Sequence, residues 1–447
     1  MARLSPGSNE QTARTQLILP VVVGLFLMAH TALAAGRGMD QTPANPSPWV
    51  ATWGTSLMSA GEDGGPDVSG QTLRLIVHTS LGGPRVRVWL SNRSGSEPLR
   101  IGAAHIAVSA YTDPLTAADG SAVWPETDRA LKFEGRGVVT IPAGATIVSD
   151  PVTLDVPPLS DLAVSLYFPE HTNVATFHGG AQQISYAATG NVTSAPNLTG
   201  SSWTTHSWFV LSGVDVYVPG SSAVVALGDS ITDGNHSTSN ANHRWPDYLA
   251  TRLQADQKTS SAGVLGVVNA GISGNRVLLD GTGPNAMARF EWDVLARSSV
   301  RYLILFDAIN DIEAVTRNHQ PYTGLDEQLE WALAHMTRVA HEHGILVFGA
   351  TQMPDCRNLH CASAEGEASR QALNSWIRTS PIFDGVIDFD RITCDPAHPS
   401  QLLPRYDSGD SVHPNDEGYA AMANGIDLNL FTTTQIRPVA AAHASLP

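Results

Sequence analysis

Two rhythms divide the chain. From Trp49 to about Gly220, apolar and polar residues alternate in short runs: "TLRLIVHTS" (Thr72–Ser80), "RVRVWLSN" (Arg85–Asn92), "VVTIPAGATIVS" (Val138–Ser149), "DLAVSLYFP" (Asp161–Pro169) and "WFVLSGVDVYV" (Trp208–Val218). A period of two sends one set of side chains to a core and the other to solvent. Gly, Pro, Asn and Asp punctuate the gaps, and no long helical pattern intervenes. The pattern predicts an antiparallel all-β sandwich or jelly roll over residues 49–220.

From about Ser221 short apolar runs alternate with helical segments. "AVVALG" precedes "RWPDYLATRLQAD" (Arg244–Asp256), and "GVVNAG" (Gly266–Gly271) precedes "AMARFEWDVLA". "VRYLILFDA" (Val300–Ala308) precedes Leu325–Gly344, "ILVFGAT" precedes "ASRQALNSWIRT", and "GVIDFD" (Gly385–Asp390) leads to a last helix from Asp416. Continuous apolar runs separated by helices predict a five-stranded parallel sheet covered on both faces, residues 221–432, with a tail at 433–447. Such sheets carry their chemistry outside the carboxyl ends of the strands.

Ahead of the β pattern lies "LILPVVVGLFLMAHTALAA" (Leu17–Ala35), an apolar run preceded by Arg14 and ending in Ala32-Leu33-Ala34. A positive start, an apolar centre and small residues at the end predict a signal peptide over 1–35, followed by a flexible lead-in at 36–48. The alternative, a membrane anchor, is disfavoured because Pro20, Gly24 and His30 interrupt a run barely long enough to span. The expected location is secreted or periplasmic, with no membrane association of the mature form.

The 447 residues are 42% hydrophobic and 15% charged, a balance that suits a folded chain. The formal charge of −16 argues against nucleic-acid partners, which need basic surfaces. Oligomeric state cannot be read. Three cysteines, Cys356, Cys361 and Cys394, allow three pairings; Cys356–Cys361 is favoured by proximity, and Cys394 could pair with either. "HEH" at His341–His343 lacks the second half of H-E-x-x-H, so no metal is expected there.

Chemistry-bearing residues follow the apolar runs. Ser230 follows the first, "NAGISGNR" (Asn269–Arg276) ends the second, "DAINDI" (Asp307–Ile312) ends the third, and "YDSGDSVHPNDEGY" (Tyr406–Tyr419) follows the last. A serine hydroxyl needs a base, histidine supplies one near neutral pH, and a carboxylate orients the ring. Asp410 and His413, three apart, can point to one side of a helical turn or tight loop. Singly, Ser230 reads as a helix cap, His413 as a surface histidine, Gly274 as a turn and Asn310 as a cap. Asp229 and Asp311 read as structural acids bonding local backbone. Their coincidence at four strand ends favours catalysis.

"GDSIT", "GISGN", "IND" and "DSVHPNDEGY" resemble, in order, the blocks of the SGNH (GDSL-type) hydrolases, and "WVATWGTS" with the β-rich half is similar to an exported bacterial branch. The resemblance implies a flavodoxin-like three-layer α/β/α domain that cleaves esters through an acyl-enzyme. It implies Ser230 as nucleophile, His413 as base, Asp410 as its partner, and Ser230, Gly274 and Asn310 as oxyanion donors, with no cofactor or metal. The expected substrate is a short-chain, chiefly acetyl, ester on a small molecule or polysaccharide. A general short-chain esterase or lipase, or a carbohydrate-binding protein with an inert hydrolase half, are the alternatives. The family's third block usually reads G-x-N-D; here Ala308 stands in place of that glycine. A positive φ there would strain an alanine, and its methyl could crowd the pocket; since positive φ is uncommon outside glycine, ordinary backbone is expected. Trp89, Trp124, Trp203 and Trp208 suit either a sugar platform or core packing, the commoner fate. "TFHGGAQQISY" (Thr176–Tyr186) is expected at the domain interface.

Overall fold

A computed structural model of the chain describes residues 47–61, 64–110, 120–198, 200, 202–256, 263–318, 323–354 and 363–432. The proposed signal segment, the Cys356–Cys361 pair and the tail at 433–447 lie outside them. Among the described residues Cys394 is a free thiol.

The β-rich half contains two main antiparallel sheets. One places β1 (Trp49–Gly54) beside β8 (Leu211–Tyr217) and then β3 (Gly83–Ser91). The other orders β7 (Ser185–Thr189), β2 (Gln71–His78), β5 (Asp161–Phe168) and β4 (Ala103–Val108). Alternate residues from both sheets meet in one core: Leu73, Leu75 and Val77 from β2, Val86 and Val88 from β3, Leu162 and Val164 from β5, and Val214 and Val216 from β8. A short strand, β6 (Thr176–His178), lies within the segment expected at the interface. The run "WFVLSGVDVYV" is split, because Val210 takes a φ of +65° between Trp208–Phe209 and β8. Three of the four tryptophans have their ring N–H bonded inside the fold. Trp89 donates to Asp215, Trp203 to Gln71 and the buried Trp208 to the Ile76 carbonyl. Packing, not a shared platform, is their role; Trp124 alone among the four is largely exposed.

The antiparallel pattern ends at Tyr217 and the parallel one starts at Ser222. The second sheet comprises β9 (Ser222–Gly228), β10 (Leu265–Gly271), β11 (Val300–Phe306), β12 (Leu346–Ala350) and β13 (Gly385–Ile387), in the order β10–β9–β11–β12–β13. This is the flavodoxin-like order, with its topological switch between β9 and β11. Period-two alternation explains the three layers. Val225, Leu227, Leu303, Leu305 and Val347 face α5 (Leu325–Glu342) and α6 (Ala364–Thr379) on one side. Val224, Ala226, Tyr302, Ile304 and Phe348 face α2 (Trp245–Ala255) and α7 (Asp416–Gly425) on the other.

The edge strand β10 is covered by the β-rich half. The Val267 N–H donates to Ser80 Oγ at 2.7 Å, and that hydroxyl donates to the Thr52 carbonyl at 2.6 Å. Arg297 reaches across to the Ser212 and Thr55 carbonyls at 2.6 Å each. An open strand edge is a template for unwanted pairing, and this contact closes it. Gly266 permits the approach, since a Cβ there would lie 2.2 Å from the Ala51 carbonyl oxygen. Gly266→Val is therefore expected to force the two halves apart and destabilise the fold by about 1–3 kcal/mol, read as a fall in thermal midpoint.

Candidate active site

Strands β10, β9 and β11 end at one register, with Gly228 opposite both Gly271 and Phe306. The chain after β9 turns at once into a single helical turn, α1 (Ser230–Asp233), closed by Gly234 at a φ of +93°. Asp229 caps it, accepting from the Ile231 N–H at 3.0 Å. Ser230 is the first helical residue, so its own N–H has no acceptor within the helix.

His413 arrives on the tight loop ahead of α7, not on a helix. That loop is pinned by Asp407, which accepts the amides of Gly409 and Ser411, and by the Ser408 N–H bonding to the His413 carbonyl. His413 Nε2 lies 2.8 Å from Ser230 Oγ, and His413 Nδ1 lies 2.6 Å from Asp410 Oδ2. A carboxylate can only accept, so Nδ1 carries the proton and Nε2 offers a lone pair to the serine hydroxyl. Asp410 Oδ1 also accepts the amides of Val412 and His413 at 2.9 and 2.8 Å. Burial alone would raise the Asp410 pKa, but the ring of His413 and these amides outweigh it and hold the carboxyl well below its ordinary range.

A cavity of about 520 Å³ opens above Ser230 and is lined by Gly274, Asn310 and His413, with Arg276, Glu313 and Arg317 among its polar wall. Gly274 has a φ of +77°, which suits glycine. Asn310, in the first turn of α4 (Ile309–Arg317), spends one amide hydrogen on the Asn275 carbonyl at 2.9 Å and keeps a second. All five predicted site residues thus converge: Ser230, Gly274, Asn310 and His413 line one cavity, and Asp410 stands behind the histidine.

His236 is a residue that sequence reasoning missed. Its Nε2 is 3.3 Å from Asp410 Oδ2, and its ring centroid is 5.3 Å from that of His413. It lies four positions past the "GDSIT" block, but nothing in the pattern tied it to Asp410. The three groups bring ligand atoms within 4.8 Å of one another. The 2.6 Å Asp410–His413 separation is a charge-assisted hydrogen bond, tighter than the roughly 3.3 Å edge expected between ligands about 2.0 Å from a tetrahedral zinc.

Behind the serine lies a nest of buried acids. Asp229 bonds local backbone as expected, whereas Asp311 accepts the amides of Val277 and Leu278, more than thirty positions away, and so ties the loop after β10 to α4. Burial pushes Asp229 up to about 7, against the Ile231 bond and the charge of Arg289. Burial likewise raises Asp311 to about 6 and Asp307 well above its usual range, with Asp229 adding to the latter. The one-residue step beyond Asp307 is strained: Ala308 has a φ of +138°. The expectation of ordinary backbone there is corrected; the chain must swing Asn310 into the cavity. The methyl is fully buried and does not line the cavity, so it crowds nothing there.

A parallel sheet between two helical layers, with a serine, a histidine and a carboxylate hydrogen-bonded in series at its carboxyl end, is an arrangement suited to nucleophilic hydrolysis. Residues 226–421 match the GDSL-like Lipase/Acylhydrolase family, a match that supports a serine ester hydrolase. No curated protein matches the chain. Among solved structures, a GDSL-like lipase from Bacteroides thetaiotaomicron is 21% identical, covering 47% of this chain and 88% of its own, with a TM-score of 0.33. An acetylxylan esterase from Geobacillus stearothermophilus is 19% identical, covering 48% and 97%, with a TM-score of 0.35.

Ala308→Gly is expected to relieve the strain and stabilise the protein by about 1 kcal/mol in denaturant unfolding, the gain being reduced by the added freedom of the unfolded chain. Asp229 tests the buried acids. Its folded pKa of about 7 lies above the unfolded value near 3.9, so its stabilising proton is fully held below about pH 4 and lost as pH rises through 7. The stability of Asp229→Asn relative to wild type should therefore increase from about pH 5 to 8 in thermal unfolding.

Proposed function

We propose that this ester hydrolase is exported and cleaves short-chain esters, chiefly acetyl esters carried by carbohydrate, through Ser230, His413 and Asp410. The observation that carries the catalytic assignment is the relay from Ser230 Oγ to His413 at 2.8 Å and from His413 to Asp410 at 2.6 Å, at the floor of the cavity. In this reading Ser230 Oγ attacks the ester carbonyl as its proton passes to His413 Nε2. Asp410, ionised throughout, stabilises the imidazolium. The carbonyl oxygen, now negative, takes hydrogen bonds from the N–H groups of Ser230 and Gly274 and from Asn310 Nδ2. His413 returns the proton to the departing alcohol, and a water activated in the same way releases the acid and frees the serine.

The chemistry of the wall supports a hydroxylated alcohol: Arg276, Glu313, Arg317, Asn235 and Thr282 line the cavity. The signal-like segment at 1–35 supports export to where polymers are met. Among the described residues no helix is long and apolar enough to cross a membrane.

Ser230→Ala is expected to cut turnover of p-nitrophenyl acetate by about 10⁴-fold or more, and Asn310→Ala by about 10²–10³-fold. An unchanged rate in Ser230→Ala would sink the assignment. Acetate release from acetylated xylan or pectin should exceed hydrolysis of esters with eight or more acyl carbons; the reverse preference would identify a lipase instead. Cells expressing the full chain should export a mature form beginning near Gly36, read by N-terminal sequencing.

A further inference from the structure

The β-rich half touches α1 at a buried contact. His178, at the end of β6, is 1% exposed, and each ring nitrogen faces an oxygen. Nδ1 lies 2.8 Å from the Ser56 carbonyl, and Nε2 lies 2.9 Å from Asp233 Oδ1. A carbonyl and a carboxylate both accept and neither donates, so both nitrogens carry hydrogen and the ring is an imidazolium. Trp208 stacks on it, with centroids 5.5 Å apart and planes 25° from parallel.

Asp233 ends the helical turn that Ser230 begins. Its second oxygen, Oδ2, accepts from Ser273 twice, from the amide at 2.9 Å and from Oγ at 2.7 Å. Ser273 immediately precedes Gly274. The backbone of the β-rich half crowds the same carboxylate, since a Cβ on Gly180 would lie 2.3 Å from Asp233 Oδ2. A continuous chain of charged and charge-assisted hydrogen bonds thus runs from Ser56 through His178, Asp233 and Ser273 to the loop that presents the Gly274 N–H.

We propose that His178 is a positioning residue for ester hydrolysis: as a buried imidazolium it fixes Asp233, and through Ser273 the Gly274 loop, so that the β-rich half completes the oxyanion site. The proposal rests on the oxyanion role assigned to Gly274 above. A misplacement of about 1 Å in such a donor is enough to cost about 10²-fold in rate. Burial opposes the charge on His178, but Asp233 and the Ser56 carbonyl more than offset it, and the pKa is raised. The other charged group facing the ring is Arg244, ahead of α2, which works against protonation and is itself held by Asp247 at 2.6 Å. His78 also lines the crevice. Because the folded pKa is raised, the clamp is complete below the unfolded value near 6.5 and is lost as pH rises through the folded one.

The test uses the full chain and p-nitrophenyl acetate. His178→Gln can donate from one end only, so kcat should fall about 10- to 100-fold with KM within about threefold of wild type, and the alkaline fall in kcat should disappear. On a Ser273→Ala background, which removes the Oγ bond and leaves only the amide bond to Asp233, adding His178→Gln should lower kcat by a smaller factor than it does in wild type. Asp233→Asn, which keeps an acceptor for His178 but faces Ser273 with a donor, serves if His178→Gln does not fold; it should show the same kcat loss. Wild-type kcat and pH profile in His178→Gln, or a loss equal on both backgrounds, would overturn the proposal. Failure of the underlying reading is a separate result, an active Ser230→Ala.

Discussion

The site depends on the close approach of α1 to the ends of two neighbouring strands. Gly228 and Gly271 are partners in the parallel register, and neither has room for a side chain. A Cβ on Gly228 would lie 2.2 Å from Thr232 Oγ1 and 2.4 Å from the Phe306 carbonyl oxygen; one on Gly271 would lie 2.3 Å from the Asp233 amide nitrogen. The helical turn is therefore pressed onto the sheet. Ser230 stands at the switch point between β9 and β11 with its N–H unspent, and Asp233, three residues on, is delivered to the β-rich half. Nucleophile, helix dipole and interdomain anchor all follow from this one contact.

Pressing polar groups this close has an electrostatic cost, and the protein meets it in two ways. Asp233 and Asp410 are each paired with a histidine and with backbone or hydroxyl donors. Asp229 and Asp307 lie deeper, at adjacent strand ends, and share the field of the fully buried Arg289, which is 3.7 Å from Asp307 and 3.1 Å from Asp293. One guanidinium cannot neutralise that many acids in a low dielectric, so burial and mutual repulsion favour retention of protons there. The strained Ala308 belongs to the same region, and backbone strain of this kind concentrates beside reacting groups.

Much of the architecture was legible. Period-two alternation marked the β-rich half, and uninterrupted apolar runs marked β9 to β12, because those strands are covered on both faces. Ser230, Gly274 and Asn310 were legible for a related reason: each follows such a run, and a parallel sheet gathers strand ends; Asp410 and His413 sit in the loop ahead of α7, well past β13. Less legible was whatever depends on one conformational choice. Val210 and Ala308 both adopt positive φ against their type, and local propensity predicts the opposite. "VVTIPAGATIVS" read as one run, but its Pro-Ala-Gly turn separates Val139–Ile141 from Thr146–Val148.

The sequence by itself determined the layers and the candidate nucleophile, base, acid and oxyanion donors, because periodicity and strand-end position are local properties of the chain. Only the tertiary structure decided that His413 reaches Ser230 across 183 positions, that His236 joins Asp410, and that His178 pairs with Asp233. It also decided which acids are charged. A side chain's protonation and reach depend on the dielectric and on partners brought near by folding, and neither is written in the neighbouring residues.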